Sequence, residues 1–186
     1  REDVNSVVAE GPWKGRTLHD LMGENQADLL GDLPASSDGR FPLLVKYIDA
    51  AKHLSVQVHP DDETQSLGAD WQAKTEAWVI LGSTDEGSIY HGLSGAGTEA
   101  EFAAACRAGG AGLEPMLRMH KPTAGQCYFV PGGTIHAIGA GVTLIEVQQN
   151  SDTTFRVYDW GRMGLDGKPR DIHVEEALQC IAFRED

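Results

Sequence analysis

The sequence predicts a mainly β chain, a small jelly-roll β-barrel with short helical insertions. Three observations predict it. Short stretches of β-branched and aromatic residues recur between turn signals, and 22 of the 186 residues are glycine, scattered at turn positions. Residues 126–130 form a short strand followed by a Pro131-x-Gly133 turn and then His136, an order that aims an imidazole into a barrel. Ser55, Gln57 and His59 form a polar row that alternates with Leu54, Val56 and Val58, the period-two pattern of a half-buried strand.

Each element follows in order. Thr17-Leu18-His19-Asp20 opens a short helix that runs through Leu30 and ends at Gly31. Residues 34–39, Pro-Ala-Ser-Ser-Asp-Gly, form an exposed loop. Strands are expected over 41–48, 53–58, 75–81, 88–90, 126–130, 142–148 and 154–158. Two helical insertions interrupt them. One covers 63–72. The other opens at Thr98, with Glu101 three residues on in a capping box, and runs to Gly109-Gly110. A closing helix is expected over 173–181. Residues 1–40 are expected to be a loop and helical segment packed on the barrel, and residues 41–186 the barrel itself, one domain overall.

Charge and composition exclude several functions. The net charge of −13 leaves no basic patch, so nucleic acid is not expected as a partner. A phosphorylated ligand would need local positive charge from a metal, a lysine or an arginine. No stretch approaches the roughly 18 apolar residues that span a bilayer, so no membrane partner is expected. The opening Arg-Glu-Asp-Val-Asn does not read as a signal peptide. Cys106, Cys127 and Cys180 are odd in number and form no CxxC, the usage of reduced thiols in a cytoplasmic protein.

The barrel pattern brings a metal with it. Gln57 and His59 share a strand face with Ser55. Glu76 shares a face with Trp78 and Ile80, where an unpaired carboxylate would be costly. Coordination removes that cost. The expected ligands are Gln57 through Oε1, His59, Glu76 and His136. Gln57 alternatively orients a neighbour. Mixed nitrogen and oxygen donors suit one Zn2+ per chain, with Mn, Co or Fe as substitutes. His19, His53, His91, His120 and His173 are expected to be structural.

The segment from Gly125 through Pro131-x-Gly133 to His136 resembles the second cupin motif. The wider set resembles type I mannose-6-phosphate isomerases in their short bacterial form. It comprises Phe41-Pro42-Leu43-Leu44-Val45-Lys46, Leu54-Ser55-Val56-Gln57-Val58-His59-Pro60-Asp61-Asp62, Lys74-Thr75-Glu76-Ala77-Trp78, and the stretch from Ser151 to Trp160. The resemblance makes residues 41–186 a cupin catalytic domain and places the family's C-terminal second β domain outside this chain. General cupins carry His-x-His where this chain has Gln57-Val58-His59, and that departure is typical of the isomerases.

The resemblance implies interconversion of mannose 6-phosphate and fructose 6-phosphate through a cis-enediol, with a small phosphorylated sugar as substrate. Such chemistry needs a base near C1 and C2 and a cation for the developing oxyanion. Arg156 is the candidate cation, its alternative being a surface salt bridge. Glu146 is the candidate base or its orienter, alternatively a buried partner for Arg156 or Lys46. Asp152 shuttles a proton or forms a turn. Lys74 binds phosphate or assists proton transfer. Lys46 and Ser55 are expected to contact substrate. A dioxygenase-type cupin and a non-catalytic sugar-binding cupin are the rival classes, because the fold hosts many functions.

Overall fold

The computed structural model describes residues 5–36, 39–164 and 167–183. The chain divides into two compact units, Arg1–Leu44 and Val45–Asp186. In the first, helix α1 (Leu18–Leu30) starts where Thr17 and Asp20 satisfy each other's backbone N–H in a capping box, and stops at Gly31, where φ is +58°. Part of the expected loop at 34–39 lies outside the described residues. Its flanks close a turn through Gly39 N–H to the Ser36 carbonyl at 2.8 Å.

The strands are β1 (Leu43–Ala50), β2 (Val56–Val58), β3 (Glu76–Ser83), β4 (Ile89–Leu93), β5 (Leu117–His120), β6 (Cys127–Val130), β7 (His136–Ile138), β8 (Val142–Gln149) and β9 (Phe155–Tyr158), and from Val45 onward all lie in the second unit. They form a four-stranded sheet in the order β1-β8-β3-β6 and a five-stranded sheet in the order β5-β4-β7-β2-β9. The pairings resolved in detail are antiparallel. Helices α2 (Glu99–Arg107) and α3 (Val174–Cys180) belong to the same unit.

This overturns the expected jelly-roll β-barrel. The fold is mixed α/β with two open antiparallel sheets. Among the described residues no ladder joins them, and each ends in free edges, at β1 and β6 and at β5 and β9. The physical reason lies in strand length. β2 and β7 contribute three residues each, too few to carry pairing around a corner, and register shifts interrupt the longer β3–β8 ladder between Ile80 and Gly82.

Two cores replace the barrel interior. One lies between the sheets and holds Trp78, Ile80, Ile89, Val130, Ile138, Val142 and Leu144. The other lies on the far face of the five-stranded sheet, where Val56, Val58, Ala137, Phe155 and Val157 pack on Phe102 and Cys106 of α2 and Ala177 and Cys180 of α3. The five-stranded sheet is therefore covered on both faces. Its inter-sheet face is free to carry polar groups because the other face supplies apolar burial, worth roughly 1.5–3 kcal/mol for each large side chain.

Other elements depart from expectation more modestly. The helix expected at 63–72 is a single 3-10 turn, Thr64–Leu67. Asp61 Oδ1 caps it by accepting from the N–H of Glu63 and Thr64 at 3.0 and 2.7 Å. It ends at Gly68, whose bare backbone is covered by the Trp71 indole. β5 and β7 were not expected, since four- and three-residue strands carry too little periodicity to read. α2 has both halves of the Thr98–Glu101 capping box.

The two informative segments meet at Gly132-Gly133. Gly133 donates its N–H to the His59 carbonyl at 2.8 Å and has φ of +86°. Gly132 lies so close to Pro60-Asp61 that a Cβ there would sit 2.6 Å from the Asp61 Cα. Replacing Gly132 with Ala is expected to destabilise the fold by about 1–3 kcal/mol, because rigid backbone cannot yield. Denaturant unfolding checks this. A midpoint equal to wild type would mean the two segments are not wedged together.

Candidate metal centre

The site is assembled by sheet register. In the five-stranded sheet His136 pairs with Gln57 across β7–β2, and Gln57 pairs with Arg156 across β2–β9. These three side chains form one transverse row. The facing sheet offers a second row, since β3 and β8 pair Glu76 with Gln148 and Trp78 with Glu146. Period-two alternation sends Glu76, Trp78, Glu146 and Gln148 to the inter-sheet side, and all four are buried. Between the rows lies a pocket of about 240 Å³, lined among others by Lys46, Ser55, Gln57, Lys74, Glu76, Trp78, His136, Glu146, Arg156, Arg162 and Arg170.

At the heart of the site His59, Glu76 and His136 offer ligand atoms that lie within 4.8 Å of one another, all three residues buried. The histidine tautomers are set from outside. His59 Nδ1 lies 2.8 Å from the Thr153 carbonyl and His136 Nδ1 lies 2.8 Å from the Thr134 carbonyl. A carbonyl only accepts, so each Nδ1 carries the proton and each Nε2 presents its lone pair. Burial pushes both imidazole pKa values down, His136 to about 3, so the rings are neutral at neutral pH.

Glu76 is a carboxylate in the core. Burial works to raise its pKa, but His59, His136 and Lys74 outweigh burial and hold it well below the usual carboxylate range. Of these Lys74 Nζ lies 3.0 Å from Oε1. Oε2 accepts from the Trp78 indole at 3.0 Å. Oε1 lies 3.2 Å from His59 Nε2, yet no donor meets it with hydrogen-bond geometry. A buried anionic oxygen without an aligned donor, beside two imidazole lone pairs, fits a divalent cation. The His/His/Glu set is capable of binding one.

The remaining expected residues fall into place unevenly. Gln57 adjoins the set, with Nε2 at 3.3 Å from His136 Nε2 and Oε1 accepting from Ser55 Oγ at 3.0 Å. Lys74 is buried and 3.4 Å from His59 Nε2. Lys46 pairs with Glu146 at 2.9 Å and also donates to Gln148 Oε1. The other Glu146 oxygen accepts from Trp78 Nε1 at 3.2 Å, so one indole bridges both carboxylates. Arg156 lines the pocket and donates Nη1 to the Asp171 carbonyl at 2.9 Å, while its Nε is buried without a partner. Asp152 is exposed in the connection before β9 and is not brought into the pocket.

Two pocket residues, Arg162 and Arg170, and one buried residue behind the site, Gln148, escaped sequence reasoning. Gln148, fully buried, donates Nε2 to the Gln149 and Ser151 carbonyls at 2.8 and 3.1 Å and so braces the loop that carries Thr153. Arg162 and Arg170 flank a hairpin neck closed by the Met163–Pro169 bridge, and both bind Asp159. The available signal was Asp-Trp-Gly-Arg at a tight turn, with a second arginine after a glycine-containing loop.

Comparison with known proteins places the chain. Residues 2–79 match the family described as "Phosphomannose isomerase type I, catalytic domain". Mannose-6-phosphate isomerase ManA of Bacillus subtilis is 40% identical over 181 residues, covering 97% of this chain and 55% of that protein. Mannose-6-phosphate isomerase of Streptococcus mutans is 37% identical over 178 residues, covering 96% of this chain and 54% of that protein. The crystal structure of the mannose 6-phosphate isomerase from Bacillus subtilis superposes with a TM-score of 0.86 at 35% identity, over 98% of this chain and 56% of that one. The chain spans about half the length of the curated relatives it matches, and it belongs to the type I phosphomannose isomerase family.

Proposed function

We propose that this chain carries the catalytic centre of a metal-dependent aldose–ketose isomerase that interconverts mannose 6-phosphate and fructose 6-phosphate. The observation that carries the proposal is the convergence of His59, His136 and Glu76 beside a pocket whose lining carries five cationic side chains against Glu76 and Glu146. The names of the relatives support mannose 6-phosphate as the substrate. The donor set favours Zn2+, with Mn, Co or Fe as substitutes, held by His59, His136 and Glu76. Gln57 would complete the set through Oε1. That requires a half-turn of its amide, after which Nε2 can donate to Ser55 Oγ, so the buried hydroxyl keeps a partner.

When bound, the metal would supply Lewis-acid polarisation of substrate oxygen. The protein's own groups do the rest. Isomerisation takes the proton from C2 of the open-chain aldose and returns it to C1, through a cis-enediol. Glu146 is the carboxylate on the pocket wall suited to take that proton, and Lys74 assists the transfer as a hydrogen-bond donor. Lys46 sets the position of the Glu146 carboxylate. Arg156, in the same transverse row as Gln57 and His136, is placed to offset the charge of the enediolate. Ser55 and Lys46 would contact sugar hydroxyls. Asp152, exposed outside the pocket, has no part in this scheme. The burial of the ligand triad between two sheets keeps bulk water from its inner side.

A coupled assay for fructose 6-phosphate formation tests the proposal. Turnover is expected with added zinc and is expected to vanish on chelation, while absence of turnover by metal-loaded protein would overturn it. His136→Ala is expected to lose bound metal and turnover together, and metal analysis at full occupancy in that variant would remove His136 from the ligand set. Arg156→Ala is expected to keep its metal and fold while turnover falls by roughly a hundred- to a thousandfold, the loss typical of a deleted oxyanion donor. Undiminished turnover would strip Arg156 of that role.

Stability of the chelated protein should depend on pH in a defined direction. The His136 pKa falls from about 6.5 in the unfolded chain to about 3 in the fold. The folded state refuses a proton that the unfolded chain accepts. The contribution is complete above about pH 6.5 and is lost as pH falls toward 3, at no more than about 1.4 kcal/mol per pH unit for one proton. Denaturant midpoints measured from pH 7 to 4 are expected to fall, and to fall less steeply in His136→Gln. Equal slopes would assign the effect to other groups.

A further inference from the structure

We propose that Arg162 and Arg170, clasped around Asp159 at the mouth of the metal pocket, form the grip that takes the phosphate of the sugar substrate. The inference rests on the reading of this pocket as a sugar-phosphate site, and it names the groups that hold the anion.

Charge pairing singles out this end of the pocket. Five cationic side chains line it: Lys46, Lys74, Arg156, Arg162 and Arg170. Lys46 is matched by Glu146 at 2.9 Å and Lys74 by Glu76 at 3.0 Å. The three arginines have one carboxylate at their centre. Arg162 gives Nε and Nη2 to Asp159 Oδ1, at 3.2 and 2.5 Å. Arg170 gives Nε to Oδ2 at 2.8 Å and Nη2 to Oδ1. Arg156 is lowered in pKa by burial first and then by the charge of Arg170, with Arg162 also acting on it. Asp171 reaches Arg156 through its backbone carbonyl, and its side-chain charge is the weakest of the influences on that residue. Two positive charges of this trio are uncompensated by Asp159. A phosphate monoester carries close to two negative charges at neutral pH, and arginine forks match its oxygens.

The local backbone is built to hold the pair. Asp159 accepts the Arg162 N–H at 2.9 Å across a turn whose two central residues, Trp160 and Gly161, have φ of +55° and +67°. Trp160 is the one non-glycine residue among those described with positive φ. Its indole holds it there, donating Nε1 to the Leu54 carbonyl at 2.8 Å and packing on His53, Tyr90 and Tyr158. The Met163–Pro169 bridge then sets Arg170 opposite Arg162. Unusual backbone of this kind persists where the surroundings over-determine it, and such places are commonly functional. Asp159 is a positioning residue here, since it aims the forks without itself meeting an anion.

The test joins calorimetric titration of inorganic phosphate into the metal-loaded protein with kinetics on mannose 6-phosphate and unphosphorylated mannose. Arg162→Gln and Arg170→Gln are each expected to weaken phosphate binding and raise KM for mannose 6-phosphate roughly ten- to a hundredfold, as charged hydrogen bonds do. Expected too are a kcat within a few-fold of wild type and no change in kcat/KM for mannose. Arg107→Gln, which removes an exposed pair with Glu175, is the control expected to change neither. Phosphate binding is read without turnover. Arginine-dependent binding in a protein that fails to isomerise supports the grip and sinks the isomerase reading. Unchanged phosphate affinity in both glutamine variants overturns the grip whatever the turnover. If either variant melts early, Arg162→Lys and Arg170→Lys decide: a several-fold weaker affinity supports the fork, and wild-type affinity overturns it.

Discussion

A carboxylate closed off from water between two sheets is costly, and at Glu76 the surroundings are organised to offset that cost. The Lys74 ammonium and the Trp78 indole N–H offset it directly, while two imidazole lone-pair nitrogens, which cannot themselves stabilise an anion, face the same carboxylate. Trp78 extends the arrangement to Glu146, and Glu146 extends it to Lys46, so one chain of contacts runs from the buried centre to the pocket rim. Breaking a member of such a network by removing one partner leaves an uncompensated charge, which is more damaging than the pair's own net worth. The inter-sheet space therefore holds the chemical site beside one apolar core, and the face against the two helices supplies the second core.

Second-layer contacts give the centre its aim. Both ligand histidines are oriented by backbone carbonyls, and the loop bearing one of those carbonyls is tied down by Gln148, by Ser151 Oγ accepting from Thr153 N–H, and by Gln72. Backbone acceptors cannot change charge, so tautomer and ring angle hold across the pH range in which the rings stay neutral.

Much of this was legible in the sequence, and the limits have physical causes. The ligand candidates were readable because alternation is local: Gln57 and His59, or Glu76 and Trp78, reveal a shared face without any knowledge of partners. The capping boxes at Thr17 and Thr98 were readable for the same reason. Sheet closure was not, because it depends on which edges pair, and three-residue strands such as β2 and β7 leave that undetermined. Strands β1 and β3 also invert the usual pattern. Lys46 and Glu76 face inward, while Val45, Tyr47, Val79 and Leu81 are exposed. Arg162 and Arg170 meet only through a hairpin neck, a relation that spacing alone does not express. Asp152 looked chemical by its neighbours and proved to be exposed in a connection, as aspartate often is.

The left-handed Trp160 has a consequence for any attempt to improve this protein. Glycine at a positive-φ position is a standard stabilising replacement, since it removes the Cβ penalty. Here that route is closed. The same side chain whose Cβ strains the backbone supplies the indole that fastens the turn to the Leu54 carbonyl and to three aromatic rings. Conformational comfort and anchorage are vested in one residue and oppose each other, so the turn is held at a compromise that neither sequence optimisation of loops nor consensus reasoning would find.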